Sequence, residues 1–302
     1  MTLDRAKLLG WRLEDVRASH TERDTMLYAL GLGLSQDPFD VREVGFTASR
    51  DLKALPTMAA VIAEPRPWLP EVGIDVTTAL HASQAMHFDE TLPPSGTVRA
   101  RFRVDRLVDK GPGKGAFIVL SKEIFDDATG TRLCRLPATI FVRGGGGFGG
   151  SPDGLPEAVT MPARTPDLTE DYPIDPRTAL IYRLSGDYNP LHADPLVARA
   201  AGFDGPIVHG FCTFGIAGWV LIKALCGYDP RRLASIEARF SAPLYPGETL
   251  RLAIWQDGSE IRFEGRAVER DVLVLSGGQA ALRPRVSRSP GPRRSRSGPV
   301  LP

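Results

Sequence analysis

The chain has 302 residues and is 42% hydrophobic, so it can bury a large core and has room for one large domain or two similar ones. A formal charge of +1 leaves no net field to recommend a nucleic acid or an acidic membrane as partner, so any binding has to be local. Cys134, Cys212 and Cys226 are an odd number at unrelated spacings, which argues against a disulfide framework and a zinc cluster and fits a reducing, cytoplasmic setting.

The first residues, MTLDRAKLLGWRLEDV, lack a basic start followed by an apolar run. No stretch approaches the roughly 18 apolar residues that a membrane helix requires, so neither export nor a membrane is expected. A helical segment TMLYALGLG starts at Thr25, and further on the turn LPPSGTV leads into the alternating VRARFRVDRLVDKG and then AFIVLSKEIFD. The Gly/Pro-rich RGGGGFGGSPDGLPEAVTMPARTPDLTEDYPIDP then divides the chain, and residues 144–177 read as a connector. Beyond it the same order returns: TALIYRLSGD from Thr178, the turn LYPGETL, the alternating LRLAIWQDGSEIRFEGRAV, and VLVLSGGQAAL. Tyr28 lies opposite Tyr182 and Thr97 opposite Thr249, two matches at nearly one offset of about 150 positions, which predicts a duplicated domain. Residues 1–143 form one repeat and 178–284 the other. Between Gly210 and Leu225, GFCTFGIAGWVLIKAL is almost wholly apolar and predicts a helix buried on most sides. A long helix wrapped by antiparallel strands is an α+β architecture. The tail 285–302, rich in Arg, Ser, Pro and Gly, has too little to bury and is expected to be a disordered, solvated extension, with contact to RNA or membrane as the alternative.

The stretch LSGDYNPLHAD, from Leu184 to Asp194, sets Asp187, Asn189 and His192 within six positions. Its counterpart in the first half, LGLGLSQDPFD, has neither the Asn nor the His. Asp and Asn near Pro and Gly most often form turns with their own backbone, and that reading stands for either residue alone. A calcium loop is excluded, because counting from Asp187 the sixth position is His192 and the twelfth Ala198. His192, His209 and Asp187 could together hold a transition metal, but no Cys or Glu pattern supports it, and no metal is expected. The chemical alternative is that a carboxylate, an amide and an imidazole act together beside a helix opened by His209 and Gly210, whose free N–H groups attract developing negative charge.

From Tyr182 to Gly215, YRLSGDYNPLHADPLVARAAGFDGPIVHGFCTFG closely resembles the signature of the MaoC-like hydratases, in particular hydratase 2, the (R)-specific 2-enoyl-CoA hydratases. The resemblance runs from TERDTMLYALGLG through LPT, DKGPG, GGFGG and ARFSAPLYPGETL to about Leu282. It implies a double hot-dog fold, each half a long helix wrapped by an antiparallel sheet, with chemistry in the C-terminal half and a first half reshaped for bulky acyl chains. It implies that Asp187 and His192 activate water and deliver the proton, that Asn189 keeps them in register, and that the Gly210 N–H polarises the thioester oxygen. It further implies that His81, Ala82, Lys110 and Phe240 line the coenzyme A and acyl paths, with Tyr188, Pro190, Leu191 and His209 as further substrate contacts. The substrate is then a small-molecule acyl-CoA and no cofactor is needed; further pairing into a homodimer is left open. Two departures bear on substrate size: HASQ at 81–84 where eukaryotic members tend to read HGEQ, and Thr47 where they carry a Glu. The chain ends VLP rather than in a peroxisomal SKL, which fits a cytoplasmic bacterial enzyme. A hot-dog acyl-CoA thioesterase and a non-catalytic acyl-CoA-binding module are the alternatives.

Overall fold

The computed structural model describes residues 3–48, 50–65, 68–157 and 159–284. The first half runs α1 (Arg5–Gly10), β1 (Arg12–His20), α2 (Glu22–Gly31), α3 (Val44–Thr47), β2 (Ala79–Phe88), β3 (Gly96–Asp109), β4 (Ala116–Asp126) and β5 (Arg132–Val142). The second runs β6 (Leu168–Pro173), α4 (Thr178–Tyr182), α5 (Pro195–Ala200), α6 (Gly210–Cys226), β7 (Leu233–Phe240), β8 (Thr249–Asp257), β9 (Glu260–Ala267) and β10 (Val272–Leu282).

Alternation makes the strands. In β3, Val98, Ala100, Phe102 and Val104 are buried while Arg99, Arg101 and Arg103 face out, where Asp15, Asp127, Glu14 and Asp105 pair with them. All ten strands join one antiparallel sheet in the order β1-β3-β4-β5-β2-β7-β10-β9-β8-β6. That order is the same five-strand pattern laid down twice and reflected about β2–β7, where Ser83 pairs with Arg239, Ala85 with Glu237 and His87 with Ser235. The predicted duplication is therefore real, and the α+β double hot-dog architecture is what the chain adopts. The two repeat-related tyrosines meet inside it: Tyr28 and Tyr182 are both buried, with ring centroids 5.8 Å apart.

Helix α6 lies in the hollow of the sheet, buried on nearly every side, and ends at Gly227 with φ 63°, the left-handed stop that glycine supplies at least cost. Its glycines admit the first half closely. A Cβ at Gly215 would lie 2.8 Å from Tyr28 Oη, and one at Gly218 would lie 2.9 Å from Thr57 Cγ2.

The structure corrects two expectations. Among the described residues the first half has no long helix: the segment equivalent to α6 forms short 3-10 turns at Pro56–Ala60 and Leu69–Val72. Its sequence carries Pro65, Pro67 and Pro70, each without an amide hydrogen and each in steric conflict with a continuing helix. The connector assigned to 144–177 is also shorter than expected, because Leu168–Pro173 within it forms β6 and pairs with β8, Tyr172 opposite Leu250. Among the described residues no helix is long and apolar enough to cross a membrane. The tail 285–302 lies outside the described residues.

Candidate active site

The site is assembled at the N-terminal end of α6 from a loop that leaves α4. After Tyr182 the chain makes a tight 3-10 turn, Arg183–Ser185, which Gly186 releases with φ 125°, a conformation that side chains disfavour. Asp187 and Asn189 then behave as their residue types prescribe. The Asn189 N–H donates to Asp187 Oδ1 at 3.1 Å, and the Leu191 N–H donates to Asn189 Oδ1 at 3.0 Å. The turn-forming reading of both residues is therefore correct, and it leaves Asp187 Oδ2 and the Asn189 amide nitrogen free to do more. Asn189 caps the 3-10 turn Pro190–His192, which swings His192 inward until it is 8% exposed.

His192 Nδ1 lies 2.8 Å from the Ile207 carbonyl. A carbonyl only accepts, so Nδ1 carries the hydrogen and Nε2 keeps a free lone pair. Burial pushes the His192 pKa below the ordinary imidazole value, opposed by the Ile207 carbonyl and by Asp187. The ring is thus neutral and able to accept a proton. His209, the residue before α6, stacks on it with ring centroids 3.7 Å apart and planes inclined by 26°. Its Nε2 donates to the Asp187 carbonyl at 3.2 Å. Its Nδ1 is buried without a hydrogen-bond partner among the described residues. Burial first, then the neighbouring His192, push His209 down to about 4, against Asp187.

Asp187, His192 and His209 bring one potential ligand atom each within 4.8 Å of one another. Ring lone pairs lie in the ring planes, and two stacked planes tilted by only 26° meet well beyond bonding distance, so one ion cannot be held in line with both. The arrangement suits proton transfer better than metal binding.

Gly210 opens α6 with no side chain capping the helix, which leaves its N–H uncapped at the positive end of the helix, next to His209. Phe240, at the end of β7, lies close by: a Cβ on Gly210 would sit 3.4 Å from its ring. His81 on β2 is held between Phe211 and Phe240, each with a ring centroid 4.8 Å away, and burial pushes its pKa down to about 4. Ala82 and Phe240 also line a cavity of about 420 Å³ whose polar wall includes Ser83, Thr139, Glu237 and Arg239. Pairing of β2 with β7 therefore brings His81 and Ala82 beside Phe240, whose ring in turn lies against Gly210 of α6. Tyr188 and Pro190 are exposed on the loop, Leu191 is half-buried, and the Tyr188 ring lies under the Arg183 guanidinium at 5.3 Å.

Lys110, expected on the coenzyme A path, is exposed in the turn between β3 and β4, which closes on itself through Lys110 N–H to the Gly115 carbonyl at 3.2 Å. No contact among the described residues links it to Asp187, His192 or Gly210. Thr47 ends α3 with its hydroxyl 2.8 Å from Ser35 Oγ. Sequence reading missed Phe211, whose only local signal is its place as the first large side chain after the helix-opening glycine, and it missed the stacking of the two histidines.

Two family models match the chain: the MFE-2 hydratase 2 N-terminal domain over residues 19–144 and the MaoC like domain over 157–277. The chain is similar to enoyl-CoA hydratase ChsH3 of Mycobacterium tuberculosis, 40% identical over 92% of this chain and 98% of that one. It is also similar to a peroxisomal enoyl-CoA hydratase 2 of Arabidopsis thaliana, 36% identical over 89% of this chain and 93% of that one. Among solved structures, a MaoC-like dehydratase from Phytophthora capsici superposes with a TM-score of 0.82 at 30% identity, covering 93% of this chain and 98% of that one.

Proposed function

Because this chain belongs to the MaoC-like family, in its hydratase 2 branch, we propose that it hydrates trans-2-enoyl-CoA to (3R)-3-hydroxyacyl-CoA and catalyses the reverse dehydration. The observation that supports this reading is that Asp187 and His192 meet His209, the residue immediately before Gly210 at the start of α6, with the His192 Nε2 left free by the bond of its Nδ1 to the Ile207 carbonyl. Hydration places OH on C3 and H on C2 of the enoyl group, so a base and an acid must face the same double bond. Asp187 and His192 hold the water between them, one taking its proton as the oxygen attacks C3, and the pair returns a proton to C2. Asn189 keeps its amide nitrogen for the water. Negative charge gathers on the thioester oxygen as C3 is attacked, and the Gly210 N–H, fixed before the reaction begins, opposes it; such a donor is commonly worth about 3 kcal/mol of barrier. The chemistry balances with water alone, so no cofactor is required.

His81, Ala82 and Phe240 border the entry for the acyl-CoA, and the loss of a long helix from the first half supports a preference for medium-chain or bulkier enoyl groups over the four-carbon substrate. Handedness follows from which face of the enoyl thioester meets the acid/base pair while the α6 N-terminus holds the carbonyl. A cytoplasmic role in acyl-CoA degradation fits this activity. The test is loss of enoyl absorbance with a panel of enoyl-CoAs, chiral analysis of the product, and a thiol assay in parallel. A 3R product without thiol release is expected; a 3S product defeats the stereochemical assignment, and thiol from saturated acyl-CoA makes the chain a thioesterase instead.

A further inference from the structure

We propose that His209 is a positioning residue for the acid/base pair, and that it acts by tying the Asp187 backbone to the face of His192 rather than by touching substrate. The inference rests on the reading of Asp187 and His192 as that pair. His209 makes two contacts at once: Nε2 donates to the Asp187 carbonyl at 3.2 Å, and the ring lies face-on to His192 at 3.7 Å. Asp187 comes from the loop after α4, His192 from the following 3-10 turn, and His209 from the start of α6. Among the described residues His209 is thus the one side chain that bonds the Asp187 main chain while packing on His192. It is only 1% exposed, deeper than either, and Tyr182 closes its other side with a ring centroid 5.0 Å away. A neutral ring over His192 can also stabilise the imidazolium that forms when His192 takes a proton, because the π face attracts a cation. Of the titratable and charged groups around His209, Asp187 favours its protonation, but burial, His192 and Arg183 outweigh that and keep it neutral.

The test is steady-state kinetics of His209→Phe and His209→Gln in the full chain, with melting temperatures, alongside Asp187→Asn and His192→Ala. Phe keeps a flat ring over His192 but cannot donate to Asp187; Gln sets an N–H where Nε2 stands. The expected result is a roughly 10- to 100-fold loss of kcat in His209→Phe, the range over which removing an orienting partner acts, with KM for the enoyl-CoA little changed. His209→Gln should recover most of that loss. A raised KM with kcat intact would make His209 a substrate contact and overturn the proposal, as would full activity in His209→Phe. Equal kcat losses in both variants with lowered melting temperatures would reduce the residue to packing, and also overturn it. Retained activity in Asp187→Asn and His192→Ala would sink the acid/base reading itself, whatever the His209 variants do.

Discussion

Asp187 and His192 each commit one polar atom to the backbone and leave another free, and this division explains how residues so common in turns can also do chemistry. Asp187→Asn and His192→Ala are expected to lower kcat by at least roughly a hundredfold, within the range that positioned acids and bases contribute, with unchanged circular dichroism. Near wild-type turnover in both would show that the proton moves elsewhere. Gly210 is separable from packing by comparison with Gly218 in the same helix. A Cβ at Gly218 would lie 2.9 Å from Thr57 Cγ2, deep in the core, so Gly218→Ala should lower the melting temperature while the folded enzyme keeps its kcat. At Gly210 a Cβ meets the Phe240 ring at 3.4 Å, a milder contact, and this glycine is the proposed donor to the thioester oxygen. Gly210→Val should therefore reduce kcat by roughly tenfold or more, short of the roughly 10² to 10³ that losing an oxyanion donor outright costs, with a smaller change in melting temperature. Matching thermal losses in the two variants would assign Gly210 to packing.

The Gly-rich segment after β5 and the turn after β3 are one element, joined by Asp109. Its carboxylate is buried and accepts the N–H groups of Gly111 at 2.9 Å, Gly147 at 2.7 Å, Gly149 at 2.9 Å and Gly150 at 3.2 Å. Those donors, Gly147 foremost, hold its pKa down at about 2 against the opposing effect of burial. Glycine is needed because a Cβ at Gly146 would lie 2.3 Å from the Gly111 carbonyl oxygen. DKGPG and GGFGG are thus paired by structure, and Lys110 is carried on their solvent side. Asp109→Asn, which replaces a charged acceptor with a weaker neutral one, should lower the melting temperature clearly. Asp105→Asn on the same strand, where the partner Arg103 is largely exposed, should not. Equal effects would mean that the Gly-rich segment needs no such anchor. Lys122 plays a comparable part between β4 and the turn that replaces the first helix, donating to the Ala60 carbonyl at 3.1 Å and to Glu64 at 2.8 Å.

For the whole molecule, the buried histidines decide how stability depends on pH. Burial lowers His81 and His209 to about 4 and depresses His192 and His87, while unfolded imidazoles titrate near 6.5. The unfolded chain therefore binds more protons below that value, so stability falls as pH drops from about 6.5 toward 4. Asp40, held at about 2 by Arg42, and Asp109 lose their contributions only at still lower pH. Melting temperature should thus decline between pH 6.5 and 4, and His81→Phe should flatten the decline; a level profile in the wild type would contradict the burial of neutral imidazoles. The sequence alone determined much of this protein. Alternation in VRARFRV, the apolar run of α6, and the one-sided placement of Asp187, Asn189 and His192 are local properties, readable because side-chain period and turn chemistry need no partner. The strand LTEDYP was not readable, since its charged residues make sense only once β8 pairs beside it. The absent first helix was written in three prolines, but the match between repeats spoke for a helix. Only tertiary structure decided the stacking of His209 on His192 and the capture of His81 between Phe211 and Phe240. Each of these depends on which strands and loops meet across the β2–β7 seam and the N-terminus of α6, and such meetings join residues far apart in the chain, where no local pattern records them.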